Sequence, residues 1–145
     1  MLKHLTRRLH GVISPLGFAR VGTTWRRNHA IAFDVVGIAQ ARFSSGVTVS
    51  LGVYFKNLGN DTNPLAERCH LRTRLQGGAL DAYAQEFSET EEQVAAIAIA
   101  LAATAPAWFE AMKTRSGALA AMAREAESAS PQLLDAITYG SIRLA

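Results

Sequence analysis

The sequence predicts a single α+β domain with an N-terminal helix over residues 1–16, an antiparallel sheet of about four strands over 18–75, and helices over 79–145 packed on that sheet. Three observations carry this expectation. Apolar residues near the N-terminus recur at helical spacing, those of the middle third alternate, and after Gly77-Gly78 the spacing becomes helical and stays so. A chain of 145 residues, 49% of them hydrophobic, can also bury a core without disulfide or metal staples.

Leu2, Leu5, Leu9, Val12, Ile13 and Leu16 fall on one stripe of a helix that runs from Leu2 to Ile13 and ends at Ser14-Pro15 and Gly17. Its outer face is basic, with Lys3, Arg7 and His10 on one side and His4 and Arg8 nearby. Phe18 to Arg27 reads as a strand, Asn28-His29 as a turn, and Ala30 to Ala39 as a second strand with Ile31, Phe33 and Val35 at period two. These two strands are expected to form a hairpin. The clearest strand is Val47 to Phe55, where Val47, Val49, Leu51, Val53 and Phe55 share one face and Thr48, Ser50, Gly52 and Tyr54 the other. One face is then core, and the other is wet or partly covered. Ser44-Ser45-Gly46 joins it tightly to the preceding strand, and Asn57 to Pro64 forms the longest loop. In a fourth strand, Cys69 to Leu75, Cys69, Leu71, Thr73 and Leu75 lie on one side, with His70, Arg72 and Arg74 on a basic second side.

Beyond the double glycine, Ser88-Glu89-Thr90-Glu91 has the pattern of a capping box, with Ser88 as the cap and Glu91 reaching back. The helix continues through Val94, Ile97, Ala98 and Leu101 to Pro106, a further helix follows over Ala107 to Lys113, another spans Ala118 to Glu127, and Ser130-Pro131 opens a last one. Gln93 to Phe109 carries no charge, but Ala supplies much of its hydrophobicity. Containing Pro106 and lying at the short limit of the roughly 17–25 residues that a bilayer helix needs, it reads as a buried helix. Met1 to Phe33 lacks acids and contains several Arg, as a transit peptide does, yet its apolar stripe runs directly into strand-like sequence and reads as part of the fold. A lone Cys69 cannot form an internal disulfide, and with no secretory signal pattern the expected location is the cytoplasm.

Formal net charge is +3 and unevenly placed. Residues 1–75 hold eleven Lys or Arg against three acids, a net of +8, and residues 76–145 hold four against nine, a net of −5. The halves attract each other. In the folded chain they either neutralise one another or leave one basic and one acidic face.

Several strings, in this order, resemble a known family: Leu16-Gly17-Phe18, Trp25-Arg26-Arg27, Gln40, Val49-Ser50-Leu51-Gly52-Val53, Cys69-His70-Leu71-Arg72-Thr73-Arg74-Leu75 and Pro106-Ala107-Trp108-Phe109. Over Leu2 to Phe109 the chain is similar to an uncharacterised bacterial family, the domain of unknown function 4304. The resemblance implies the helix–sheet–helix architecture and a bacterial source, and it implies no activity.

Each candidate site has a plainer reading beside it. Cys69 and His70 are adjacent on a strand, so they face opposite ways and cannot form a nucleophile–base pair; Cys69 is expected to pack with Leu71 and Leu75. His70 shares a face with Arg72 and Arg74, where it binds an anion or pairs with the acidic helices. Arg20, Trp25, Arg26 and Arg27 interleave an aromatic ring with cations, as single-stranded nucleic-acid binders do and as surfaces facing acidic proteins also do. Glu86, Glu89, Glu91 and Glu92 form an acidic patch whose place at a helix start is explained by capping and dipole complementarity. His4 and His10 are separated by about 120° around a helix and have no local partner at ligand spacing, so no metal site is expected. No Gly-x-Ser-x-Gly elbow, P-loop or dinucleotide fingerprint occurs, and no cofactor or catalytic residue is assigned. Trp108-Phe109 reads as a core plug.

The expected function is a non-catalytic protein-binding module, of the immunity or antagonist type that caps a partner. Two alternatives stand beside it. One is nucleic-acid binding through a basic sheet face around Arg20, Arg26, Arg27, Arg72 and Arg74. The other is an enzyme with a dispersed site near His70. A membrane partner is not expected, and the sequence carries no signal for an oligomeric state.

Overall fold

The computed structural model describes residues 2–124, 131–138, 142 and 144. Helix α1 (Lys3–Ile13) buries Leu5, Leu9 and Ile13 completely, the stripe that its spacing predicts. A 3₁₀ turn over Ser14–Leu16 ends at Gly17 and delivers the chain to the sheet.

Five strands follow in sequential antiparallel order: β1 (Ala19–Val21), β2 (Thr24–Asn28), β3 (Ala32–Gln40), β4 (Val47–Phe55) and β5 (Leu71–Arg74). The single strand expected from Phe18 to Arg27 is thus two strands. Gly22 takes φ 63° and reverses the chain, so Val21 pairs with Thr24. That conformation is open to glycine at little steric cost, and a lone glycine inside an alternating run is its sequence signal.

Residues paired across neighbouring strands share a face. Trp25, Val36, Leu51 and Thr73 stand opposite one another, as do Arg26, Val35, Gly52 and Arg72. The first set lies on the inner face, towards the helices. The β3 residues that enter the main core are therefore Ala32, Val36 and Ile38, whereas Phe33 and Val35 point outward and Ile31 precedes the strand. On β4 the inner face is Val47, Val49, Leu51, Val53 and Phe55, as the alternation predicts.

Part of the outer face is covered by the chain between β4 and β5. Its turn at Ala66–Arg68 lays Ala66 and Cys69 against Val35 and Tyr54. Gly52 permits this approach, because a Cβ there would lie 2.6 Å from Cys69 Sγ.

The inner face is covered by α1 and by helices α2 (Ala79–Tyr83), α3 (Glu91–Met112), α4 (Arg115–Arg124) and α5 (Pro131–Thr138). The N-cap of α3 is Thr90, two residues beyond the one expected. Thr90 Oγ1 accepts the Gln93 N–H at 3.3 Å, and Gln93 Oε1 accepts the Ser88 N–H at 2.8 Å. Helix α3 also passes through Pro106 without ending, since Leu101, Ala105, Phe109 and Met112 bury one stripe on both sides of it. Continuous packing outweighs the roughly 3 kcal/mol that an interior proline costs. By length and composition α3 is able to cross a membrane; here its stripe packs on α1 and the sheet. Helix α4 starts three residues earlier than expected, and α5 begins at Pro131. Ser130 and the expected helical residues 125–127 lie outside the described residues.

Candidate binding surface

The oppositely charged halves meet where α1 crosses the start of α3. Arg8 donates to Glu91 at 2.6 Å, His4 Nε2 lies 2.8 Å from the same carboxylate, and the Leu5 N–H donates to Glu89 at 3.1 Å. The hydrogen bonds from Arg8 and His4 hold the Glu91 carboxyl below its ordinary pKa. Two members of the acidic patch therefore fasten α1 to α3, while Glu86 and Glu92 are exposed.

The sheet register divides the expected basic face. Arg20, Trp25 and Arg27 belong to the inner face, and Arg26, Arg72 and Arg74 to the outer one. Trp25 is fully buried, and its Nε1–H donates to His10 Nδ1 at 3.1 Å, so it offers no stacking surface beside the arginines. Arg27 donates to Asp34 Oδ2 through Nε (3.1 Å) and Nη2 (2.8 Å), and to the Leu16 carbonyl (2.9 Å). Its guanidinium also lies over the Phe18 ring, 4.6 Å from the centroid. Asp34 is only 1% exposed, and His29 Nε2 lies 2.5 Å from the same oxygen. Arg26 pins the long loop by donating to the carbonyls of Pro64 (2.9 Å) and Asn63 (3.0 Å), and Arg72 donates to the Glu67 carbonyl at 2.6 Å. Arg20 and Arg74 are exposed.

His70 turns into the fold. Its Nδ1 accepts the Phe55 N–H at 2.9 Å, the ring hydrogen-bonds the Leu58 backbone, and its centroid lies 4.6 Å from that of Tyr54. Burial lowers its pKa, which favours the neutral ring that this bonding requires. Cys69 is buried as expected, but among Ala66, Val35 and Tyr54; Leu71 and Leu75 lie on the opposite face. Burial pushes its thiol up to about 12, far from the thiolate that nucleophilic attack needs. Among the described residues no group of three or more His, Cys, Asp or Glu is placed to hold a metal ion.

One end of the sheet is different in kind. Phe43, in the connection between β3 and β4, is 93% exposed beside Arg42, and Val21, at the β1–β2 turn, is 71% exposed beside Arg20. Antiparallel order places both turns at the same end, towards which Arg74 also lies through its pairing with Ser50. Arg20, Arg42 and Arg74 form no salt bridge with a described acid. Sequence reasoning passed over Arg42-Phe43. The available signal was a large aromatic placed directly before Ser44-Ser45-Gly46, outside both alternating strands.

Among known proteins, a family model described as a domain of unknown function (DUF4304) matches residues 9–111, well over half of the chain. No curated protein and no solved structure gives a significant match.

Proposed function

This chain belongs to the DUF4304 family, and on that premise we propose that it is a non-catalytic protein-binding module that docks a partner at the Phe43 end of its sheet. The supporting observation is the 93% exposure of Phe43 next to Arg42. Burying a phenyl ring against a partner is worth about 1.5–3 kcal/mol, and aromatic and Arg side chains are the types enriched at the energetic centres of interfaces. Val21 supplies a second apolar contact, and Arg20 and Arg74 supply flanking cations. Small size and the structural employment of His70 and Cys69 favour an immunity or antagonist role in a bacterial cytoplasm as the finer form of this reading.

The nucleic-acid alternative keeps the exposed cations and loses Trp25 as its stacking platform. The enzyme alternative near His70 loses a free imidazole nitrogen. Capture from native lysate tests the proposal, using the tagged chain beside a Phe43→Ser/Val21→Ser double variant. A protein retained in stoichiometric amount by the first and lost by the second, with the melting temperature unchanged, is the expected result. A chain that emerges alone at every expression level, or a variant that retains the same protein, rejects it. Retention that nuclease abolishes and that falls steeply with salt transfers the proposal to nucleic acid.

A further inference from the structure

The basic face of α1 borders a groove of about 490 Å³ that lies beside the sheet-end surface. Lys3, Thr6, Arg7 and His10 line one wall from α1, Arg20 lines the other, and Gln40 stands at the end of β3. Leu2 and the β1–β2 turn complete it. The four α1 residues recur at three- and four-residue spacing, which puts them on one side of the helix.

The chemistry of the lining is one-sided. Lys3, Arg7 and Arg20 carry fixed positive charge, and no lining residue is acidic. Arg20 is held at the turn by donating to the Gly22 carbonyl at 2.8 Å. His10 accepts the Trp25 indole N–H on Nδ1, and an indole can only donate. The proton of neutral His10 therefore sits on Nε2, and that nitrogen is a donor. Every charged group on the walls donates and none accepts, so a ligand that satisfies them must bring both acceptors and negative charge. The volume exceeds what a single inorganic phosphate fills and falls within the roughly 300–1,000 Å³ typical of small-molecule sites.

We propose that this groove binds a small phosphorylated ligand carrying at least two negative charges, of the pyrophosphate or phosphomonoester class. Phosphate oxygens match both the point charge of Lys3 and the planar donor forks of Arg7 and Arg20. The groove shares its Arg20, Gly22, Thr23 and Gln40 edge with the protein-docking surface, whereas its α1 wall lies outside that surface.

Trp25 lies beneath the groove through its bond to His10, and a Trp108→Phe background makes it the sole tryptophan. In that background, titration with pyrophosphate at low salt is expected to give a saturable change in Trp25 emission and a rise in melting temperature. Lys3→Gln/Arg7→Gln is expected to weaken binding about tenfold or more; the exposed control Arg115→Gln and the docking variant Phe43→Ser leave it intact. The assignment is overturned by the absence of saturable binding of pyrophosphate at millimolar concentration. It is equally overturned by an equal loss in Arg115→Gln, which means diffuse charge attraction, or by tighter binding of a short single-stranded oligonucleotide than of pyrophosphate. A Phe43→Ser variant that loses its protein partner and keeps pyrophosphate separates the two sites.

Discussion

Asp34 fixes the β2–β3 turn from within. Its carboxylate is buried and receives Arg27 twice and His29 once, while Arg27 holds the Leu16 carbonyl and covers the Phe18 ring. Removing the charge leaves a half-buried guanidinium without its counterion, so Asp34→Asn is expected to lower unfolding free energy by about 2–4 kcal/mol, read from the denaturant midpoint. Cys69 gives a second test at this scale. Its thiol is raised from 9.0 to about 12, so the folded chain holds the proton that the unfolded chain loses first. The contribution to stability is complete below pH 9 and is lost as pH rises from there through about 12. At pH 8 a thiol reagent is expected to leave the native chain unmodified and to react promptly in denaturant; rapid native modification contradicts the buried site. The expected basic face grouped Arg26 with Arg27, although strand alternation alone sets neighbours on opposite faces, as the register does here. The burial of Trp25 was not legible in the sequence, because it depends on which β3 residues stand opposite it and on His10, fifteen positions earlier.

Among elements, β4 was readable to its ends because both faces alternate cleanly over nine residues, Val47–Phe55. The β1–β2 turn was harder, resting on one glycine that also fits a strand interior. Pro106 misled because local chemistry disfavours a helix that tertiary packing sustains. The capping box was ambiguous for another reason: Ser88-x-x-Glu91 and Thr90-x-x-Gln93 both fit the pattern, and the bonds from Glu89 and Glu91 to α1 accompany the later start. At this scale Gly52 is the sharpest test. Its outer-face position is closed by Cys69 at 2.6 Å from any added Cβ, so Gly52→Ala must push the Ala66–Cys69 segment off the sheet. The expected cost is about 1–3 kcal/mol by denaturant titration. Cys69 should become reactive in the same variant; a variant of wild-type stability with a protected thiol contradicts the packing.

Across the whole molecule, the charge asymmetry between the halves resolves into a local fastening. Glu89 and Glu91 hold α1, while the cations at the sheet end and in the α1 groove form no salt bridge with a described acid. The helix–sheet–helix order was legible because periodicity changes twice along the chain. The proposed docking surface was far less so, since exposure of Phe43 and Val21 follows from which turns share an end of the sheet, a property of topology and not of any local string. Hydrogen–deuterium exchange on the purified complex tests the docking surface most directly, comparing the chain alone with the chain bound to its captured partner. Protection is expected over residues 20–24 and 39–46, with the exposed side of α3 unchanged. Protection centred on α3 or α4, with residues 39–46 exchanging as fast as in the free chain, would contradict it.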